Sequence, residues 1–196
     1  MQESFFDEVA SSSPAPGGGS VAASAGALAS ALTAMVCRLT VGKKQYADVR
    51  DELSAIRDEA DVLRNDLEQL IETDKEAFNK VMAAYKLSGD ERQKALTEST
   101  KGAAEVPLEV MRKSLAALKL ARTVAVKGNQ NSVTDAGVAG LMGRAAVEGA
   151  AYNVLINLSS LDDEPYVTKM KQEVAALRKE AAEIADSIAR HVESRL

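Results

Sequence analysis

The chain has 196 residues, 46% of them hydrophobic, enough for one domain with a substantial core, and it contains no internal repeat that would indicate a solenoid. A formal charge of -5 at pH 7 and a pI near 5.1 leave no global basic footprint for nucleic acid or an anionic membrane. With 4% aromatic residues, no Trp, four Pro and a single Cys, the composition suits closely packed helices, excludes an internal disulfide, and fits a reducing, cytoplasmic setting in which Cys37 is a small buried hydrophobe.

The first expected element is a short amphipathic helix over residues 3–10, broken by a Pro- and Gly-rich loop from Ser11 to Gly19. Val9 to Cys37 carries no charge. It does not read as a signal peptide, because Glu3, Asp7 and Glu8 precede it where a basic start is required. Nor does it read as a membrane span: Ser20, Ala22, Ala23, Ser24, Gly26 and Ala27 lack the hydrocarbon drive of Leu or Ile. A helix from Ser20 to Thr40, central in a bundle and ended by Gly42, is the better reading.

Apolar or small residues then recur at Tyr46, Val49, Leu53, Ile56, Ala60, Leu63, Leu67, Leu70, Ala77 and Val81. This 3,4 spacing predicts one helix of about forty residues packed along a seam. Leu87 to Asp90 ends it, and a second long helix runs from Asp90 to Val126 with Pro107 expected to kink it. After the turn Gly128–Asn131, Ser132 is placed as the cap of a further Gly- and Ala-rich helix. Asp162 to Pro165 breaks the chain once more. A last seam follows, from Val167 through Met170, Val174, Leu177, Ala181 and Ile184 to Ile188. The fold class is therefore all-α: a bundle of long helices, a single domain over residues 1–196, built around two small-residue helices that cross closely. Its apolar seams exceed what one chain covers, so a homodimer is expected.

Asp74 is the sharpest anomaly, a carboxylate on the apolar seam, which is costly to bury without a partner or a use. It is either a stutter in the heptad or an acid/base group facing a cleft. Asp135 ends Ser-x-x-Asp, a capping-box spacing, and could alternatively accept paired N–H bonds from a nitrogen-rich ring. Asn153 and Asn157, four apart on an apolar helix, must find interhelical partners or a ligand. Gly17, Gly18 and Gly19 let backbone approach a ligand or a facing helix, and Ser20 is expected to cap the helix behind them. Arg38, Lys43 and Lys44 are either solvated or set at a cleft mouth for an anionic tail. His191 reads as a packing residue. The absence of HExxH, CxxC, P-loop and G-x-S-x-G patterns leaves metal hydrolysis, Walker-type nucleotide hydrolysis and serine hydrolysis without support.

The stretches PAPGGGSVAA, MVCRLTVGKKQY, ETDKEAF, GNQNSVTDAGVA and GAAYNVLINL, in this order over nearly the whole chain, resemble the cyclodeaminase/cyclohydrolase family of folate enzymes. The resemblance implies an all-helical dimer acting at the one carbon that bridges N5 and N10 of tetrahydrofolate, with Asp74 as the acid/base residue. It also implies pterin contacts from Asp135 and the Asn131 loop, and a meeting of Lys43 or Lys44 with the glutamate tail. No metal or bound cofactor is implied, because the folate carries the electrophilic carbon. Methenyltetrahydrofolate cyclohydrolase is the favoured activity, since no transferase domain fits in this length. Formiminotetrahydrofolate cyclodeaminase is the alternative, and a folate-binding protein without turnover a more remote one.

Overall fold

The computed structural model describes residues 4–196 and contains, among them, six α-helices and no strand. α1 (Phe5–Ala10) is a single capped turn and a half: the Ser4 hydroxyl accepts from the Asp7 N–H, and the Asp7 carboxylate accepts from the Ser4 N–H. Glu3, where this helix was expected to start, lies outside the described residues. α2 (Gly18–Val41) starts two residues before the expected Ser20. α3 (Arg50–Ala84) and α4 (Gly89–Lys127) form a long antiparallel hairpin, turned by Gly89 in the left-handed region at φ 58°. α5 (Val133–Leu158) and α6 (Glu164–Glu193) complete the bundle, and Asp163 caps α6 by accepting from the Tyr166 N–H.

The seam that opens at Tyr46 does not begin as an α-helix. Lys44–Val49 is a 3₁₀ helix with Tyr46 off helical geometry. The Tyr46 hydroxyl accepts from the Gln130 N–H at 3.1 Å, so a tertiary bond, rather than local periodicity, sets this turn. From Arg50 onward the seam holds: Leu53, Ala60, Leu63 and Leu67 are buried, and Ile56, Leu70, Ala77 and Val81 partly so. Gly42 ends α2 as expected, but with right-handed backbone at φ -80°, so its glycine freedom is unused.

α2 is long and apolar enough to cross a membrane by composition, yet most of it is buried against α3, α4 and α5. It runs antiparallel to α5, since its first turn meets Asn153 near the end of α5, while Thr40 meets Asn129 just before α5 begins. Small residues permit this approach. A Cβ on Gly149 would sit 3.4 Å from the Ala22 Cβ, and one on Gly26 would run into the Ser114 hydroxyl and sit 3.2 Å from Leu67. Neither helix is enclosed on every side, however. Leu28 is 56% exposed and Leu141 59%.

Pro107 sits inside α4, which runs through it as one helix. Proline has no N–H to give the carbonyl four residues back, Ala103. The Asn157 carboxamide of α5 supplies that donor instead, at 2.9 Å. Cys37 is buried as expected, and burial pushes its thiol up to about 11.

Gly143 packs where a Cβ would lie 2.7 Å from Cγ of the fully buried Leu118. Gly143→Ala gains about 1 kcal/mol of helix propensity but overpacks this contact by about 1–3 kcal/mol. A net loss of stability is expected, read as a lower urea midpoint with an unchanged slope.

Candidate functional site

The first turn of α2 has no side-chain cap: Ser20, expected to cap it, lies inside the helix and gives its hydroxyl to Asp74 instead. Gly17 is its N-cap, and the N–H groups of Gly18, Gly19 and Ser20 precede the first intrahelical bond, from Val21 N–H to the Gly17 carbonyl. Asp74, on the seam face of α3, comes to this turn. The Ser20 hydroxyl, itself buried, donates to Asp74 Oδ2 at 2.9 Å. The approach is possible only because residue 19 is glycine, since a Cβ there would stand 2.7 Å from the carboxyl carbon of Asp74. A second contact lies beside it: a Cβ on Gly18 would sit 3.4 Å from Asn153 Nδ2. The Gly-Gly-Ser stretch is thus a close-packing device that seats one carboxyl and one carboxamide against the positive end of a helix.

Asp74 is half-buried, and desolvation raises its pKa above the ordinary carboxylate value, with the hydrogen bonds from Ser20 pulling the other way. It opens into a cleft of about 340 Å³ between α3, α4 and α5. Phe78, Val81, Met82 and Tyr85 line one wall, Thr100 and Ala103 a second, and Asn153, Ile156, Asn157 and Ser160 the third. Larger hollows exist elsewhere, one of about 630 Å³ on the α3–α4 hairpin, but it does not include Asp74. At the mouth the Arg92 guanidinium lies over the Tyr85 ring, 5.5 Å from its centre.

Asn153 donates to the Gly149 carbonyl within α5, and Asn157 donates both to the Asn153 carbonyl and across to Ala103. The interhelical partner expected for these amides is therefore found for Asn157, while both also line the cleft. Sequence reasoning did not assign roles to Phe78, Met82, Tyr85 or Ile156. Phe78 lies inside the ETDKEAF stretch, one turn after Asp74, and that spacing was the available signal.

The remaining candidates gather at the other end of the bundle. Lys43 and Lys44 are exposed, just beyond α2, and Asn131 is exposed in the short 3₁₀ turn Gln130–Ser132. Asp135 is half-buried in the first turn of α5. This loop is tied down by Asn129, whose N–H donates to Thr40 Oγ1 at 2.9 Å and whose side chain accepts from the Asn131 N–H at 3.2 Å. Ser132 makes no capping bond, so the capping box expected for Ser132 and Asp135 does not form. Since α2 rises 1.5 Å per residue, about 35 Å separate these groups from Asp74 within one chain.

The formiminotransferase-cyclodeaminase family matches residues 1–176. Along 99% of its length the chain is 40% identical to the methenyltetrahydrofolate cyclohydrolase of Methylorubrum extorquens, covering 96% of that protein. It is 32% identical over 90% of its length to the formimidoyltransferase-cyclodeaminase of Gallus gallus, of which it spans 34%. The crystal structure of formiminotetrahydrofolate cyclodeaminase from Thermotoga maritima superposes with a TM-score of 0.92 at 34% identity, covering 99% of this chain and 96% of that one. The fold and its relatives define a class of helical enzymes of folate metabolism, the cyclohydrolases and cyclodeaminases. This chain belongs to the formiminotransferase-cyclodeaminase family.

Two outcomes follow from the geometry. Asn157→Leu keeps the volume but leaves the Ala103 carbonyl without a donor, so a loss of about 1–3 kcal/mol is expected in chemical denaturation. For Asp74 the folded pKa is raised, so the folded state binds more protons than the unfolded chain, and stability falls as pH rises from the unfolded value of 3.8 through the folded one. Asp74→Asn removes that loss. Its Tm advantage over the parent should therefore be larger at about pH 7 than at about pH 4.

Proposed function

We propose that this protein is a methenyltetrahydrofolate cyclohydrolase, interconverting 5,10-methenyltetrahydrofolate and 10-formyltetrahydrofolate. The observation that carries the reading is the half-buried Asp74, held by Ser20 and opening into a cleft with apolar walls, in a chain alike over its whole length to an enzyme of that activity. The methenyl carbon is an amidinium cation between N5 and N10. Asp74, as carboxylate, accepts a proton while water adds to that carbon. The tetrahedral adduct then opens at the C–N5 bond, Asp74 returns its proton to N5, and the hydroxyl proton leaves to solvent as the formyl carbonyl forms on N10. One proton is released per turnover. A carboxyl whose pKa desolvation raises above the ordinary carboxylate value suits both halves of this shuttle.

Phe78, Val81 and Ile156 offer the flat apolar contacts a pterin or benzoyl ring needs, and Asn153 and Asn157 the polar edge. Gly17 to Ser20 form the wall behind Asp74. Asn131 and Asp135 are the proposed pterin contacts and Lys43 and Lys44 the proposed partners of the glutamate tail. The protein acts in this reading as a cytoplasmic homodimer and needs no metal or bound cofactor.

A second reading, cyclodeaminase, draws on the likeness to the Thermotoga maritima enzyme. There N10 attacks the formimino carbon of 5-formiminotetrahydrofolate and ammonia leaves, and the same carboxyl moves the proton. Measuring methenyltetrahydrofolate consumption and formiminotetrahydrofolate cyclisation on one preparation separates the two. Asp74→Asn should lower kcat of the active reaction by about 10²-fold or more with folate binding retained. Turnover near that of the parent would exclude Asp74 from the chemistry.

A further inference from the structure

The residues of α3 that line the Asp74 cleft form a single lane. Asp74, Phe78, Val81, Met82 and Tyr85 follow one another in steps of three or four around the close pair Val81–Met82, so they run along one face of the helix. At 1.5 Å per residue the lane covers about 16 Å from the carboxyl to the tyrosine.

Its walls are unequal along this length. At the Asp74 end, α4 supplies Thr100 and Ala103, and Asn157 of α5 is bonded to the Ala103 carbonyl, so three helices enclose the space. α5 stops at Leu158, and Ser160 just beyond it is the last residue of the third wall. Tyr85 lies further out, next to the turn at Gly89, and is 51% exposed. The lane is therefore enclosed where the carboxyl sits and open to water where the tyrosine sits.

Arg92 stands at the open end. Its guanidinium lies over the Tyr85 ring, 5.5 Å from the centre, and among the described residues it has no carboxylate partner. The positions that face it on its own helix or just before it, Ser88, Gly89, Ala95 and Leu96, carry no charge. Stacking on the ring fixes the plane of the guanidinium and leaves its fork of N–H donors unspent, which is the state in which arginine receives a carboxylate.

An apolar lane with an acid at its enclosed end and an unpaired guanidinium at its open end has a direction, and a folate has the matching one. With the methenyl carbon at Asp74, the aminobenzoyl ring extends along Phe78, Val81 and Met82, and the glutamate carboxylates emerge where water still reaches them. The reverse placement would press those carboxylates against Asp74 in a partly desolvated space. Lys43 and Lys44 lie the other way. α3 passes Arg38 at Asp61 and Ser20 at Asp74, so its last turns carry the lane beyond the start of α2, away from the lysines about 35 Å behind.

We propose that Arg92, stacked on Tyr85, binds a carboxylate of the first glutamate of the substrate. The inference rests on the folate reading for the identity of the ligand, and it fixes the direction in which that ligand lies. Arg92 is remote from the reacting carbon, so it contributes to KM and not to kcat.

Two substrates on two enzymes test this. The substrates are 5,10-methenyltetrahydrofolate and 5,10-methenyltetrahydropteroate, which lacks the glutamate. Wild type should show a KM about tenfold higher for the pteroate, the worth of one charge-assisted pair, with kcat alike for both. Arg92→Gln should raise KM for the folate by about that factor and leave KM for the pteroate alone, so the ratio between the substrates falls to about one. Because Arg92 is exposed and its loss strands no carboxylate, the variant should melt with the parent. A wild-type ratio near one, or a ratio that Arg92→Gln leaves where it was, overturns the subsite and leaves the folate reading standing. So does a ratio that collapses in Lys44→Gln instead, which would give the tail to the lysines. An equal loss on both substrates overturns it as well, since the arginine would then be holding the α3–α4 turn rather than the ligand. No turnover of either compound by wild type defeats the folate reading itself, and this subsite with it.

Discussion

The Asp74 carboxyl against the opening turn of α2 is the contact on which the candidate site depends. A helix that begins Gly-Gly-Ser behind a glycine N-cap has donors to spare and no capping side chain of its own. A seam carboxyl on α3 lies against this turn and accepts from the Ser20 hydroxyl, and can come so close only because position 19 has no side chain. The same closeness strips water from Asp74 and raises its pKa, while Ser20 prevents the raise from going unopposed. Packing, capping and acid/base tuning are therefore one arrangement, and none can be altered without disturbing the others.

A comparable economy appears at Pro107. A proline within a long helix removes a donor and orphans a carbonyl, and kinks are the usual outcome. Here Asn157, itself part of the cleft wall, donates to that carbonyl and α4 continues. The amide locks α5 to α4 beside the cleft, so the third wall of the site is set by the repair of a helix defect.

Much of this was legible in the chain. The element order and the two small-residue helices follow from period and composition, and Asp74 stood out because it occupies a seam position that every neighbour in the pattern fills with an apolar or small side chain. What could not be read was set by groups distant in sequence. The start of the long seam is a 3₁₀ turn because the Tyr46 hydroxyl is held by Gln130, and Ser132 is no side-chain cap because Asn129 anchors that loop. Motif order likewise carries no information about which end of a bundle a residue occupies. Lys43, Lys44, Asn131 and Asp135 belong, like Asp74, to recognisable stretches, yet the antiparallel run of α2 and α5 sends them to the opposite end.

The length of α2 acquires a meaning from this layout. Its 24 residues hold Gly19 and Ser20 against Asp74 at one end and Thr40 against the Asn129 loop at the other. One inserted residue would turn everything beyond it by about 100° and shift it by about 1.5 Å, breaking one anchor or the other. The helix is in effect a ruler between two fixed marks. Insertions and deletions should be purged from it while they accumulate freely in the turn between α3 and α4, so that α2 keeps its register through divergence that reshapes the rest of the surface.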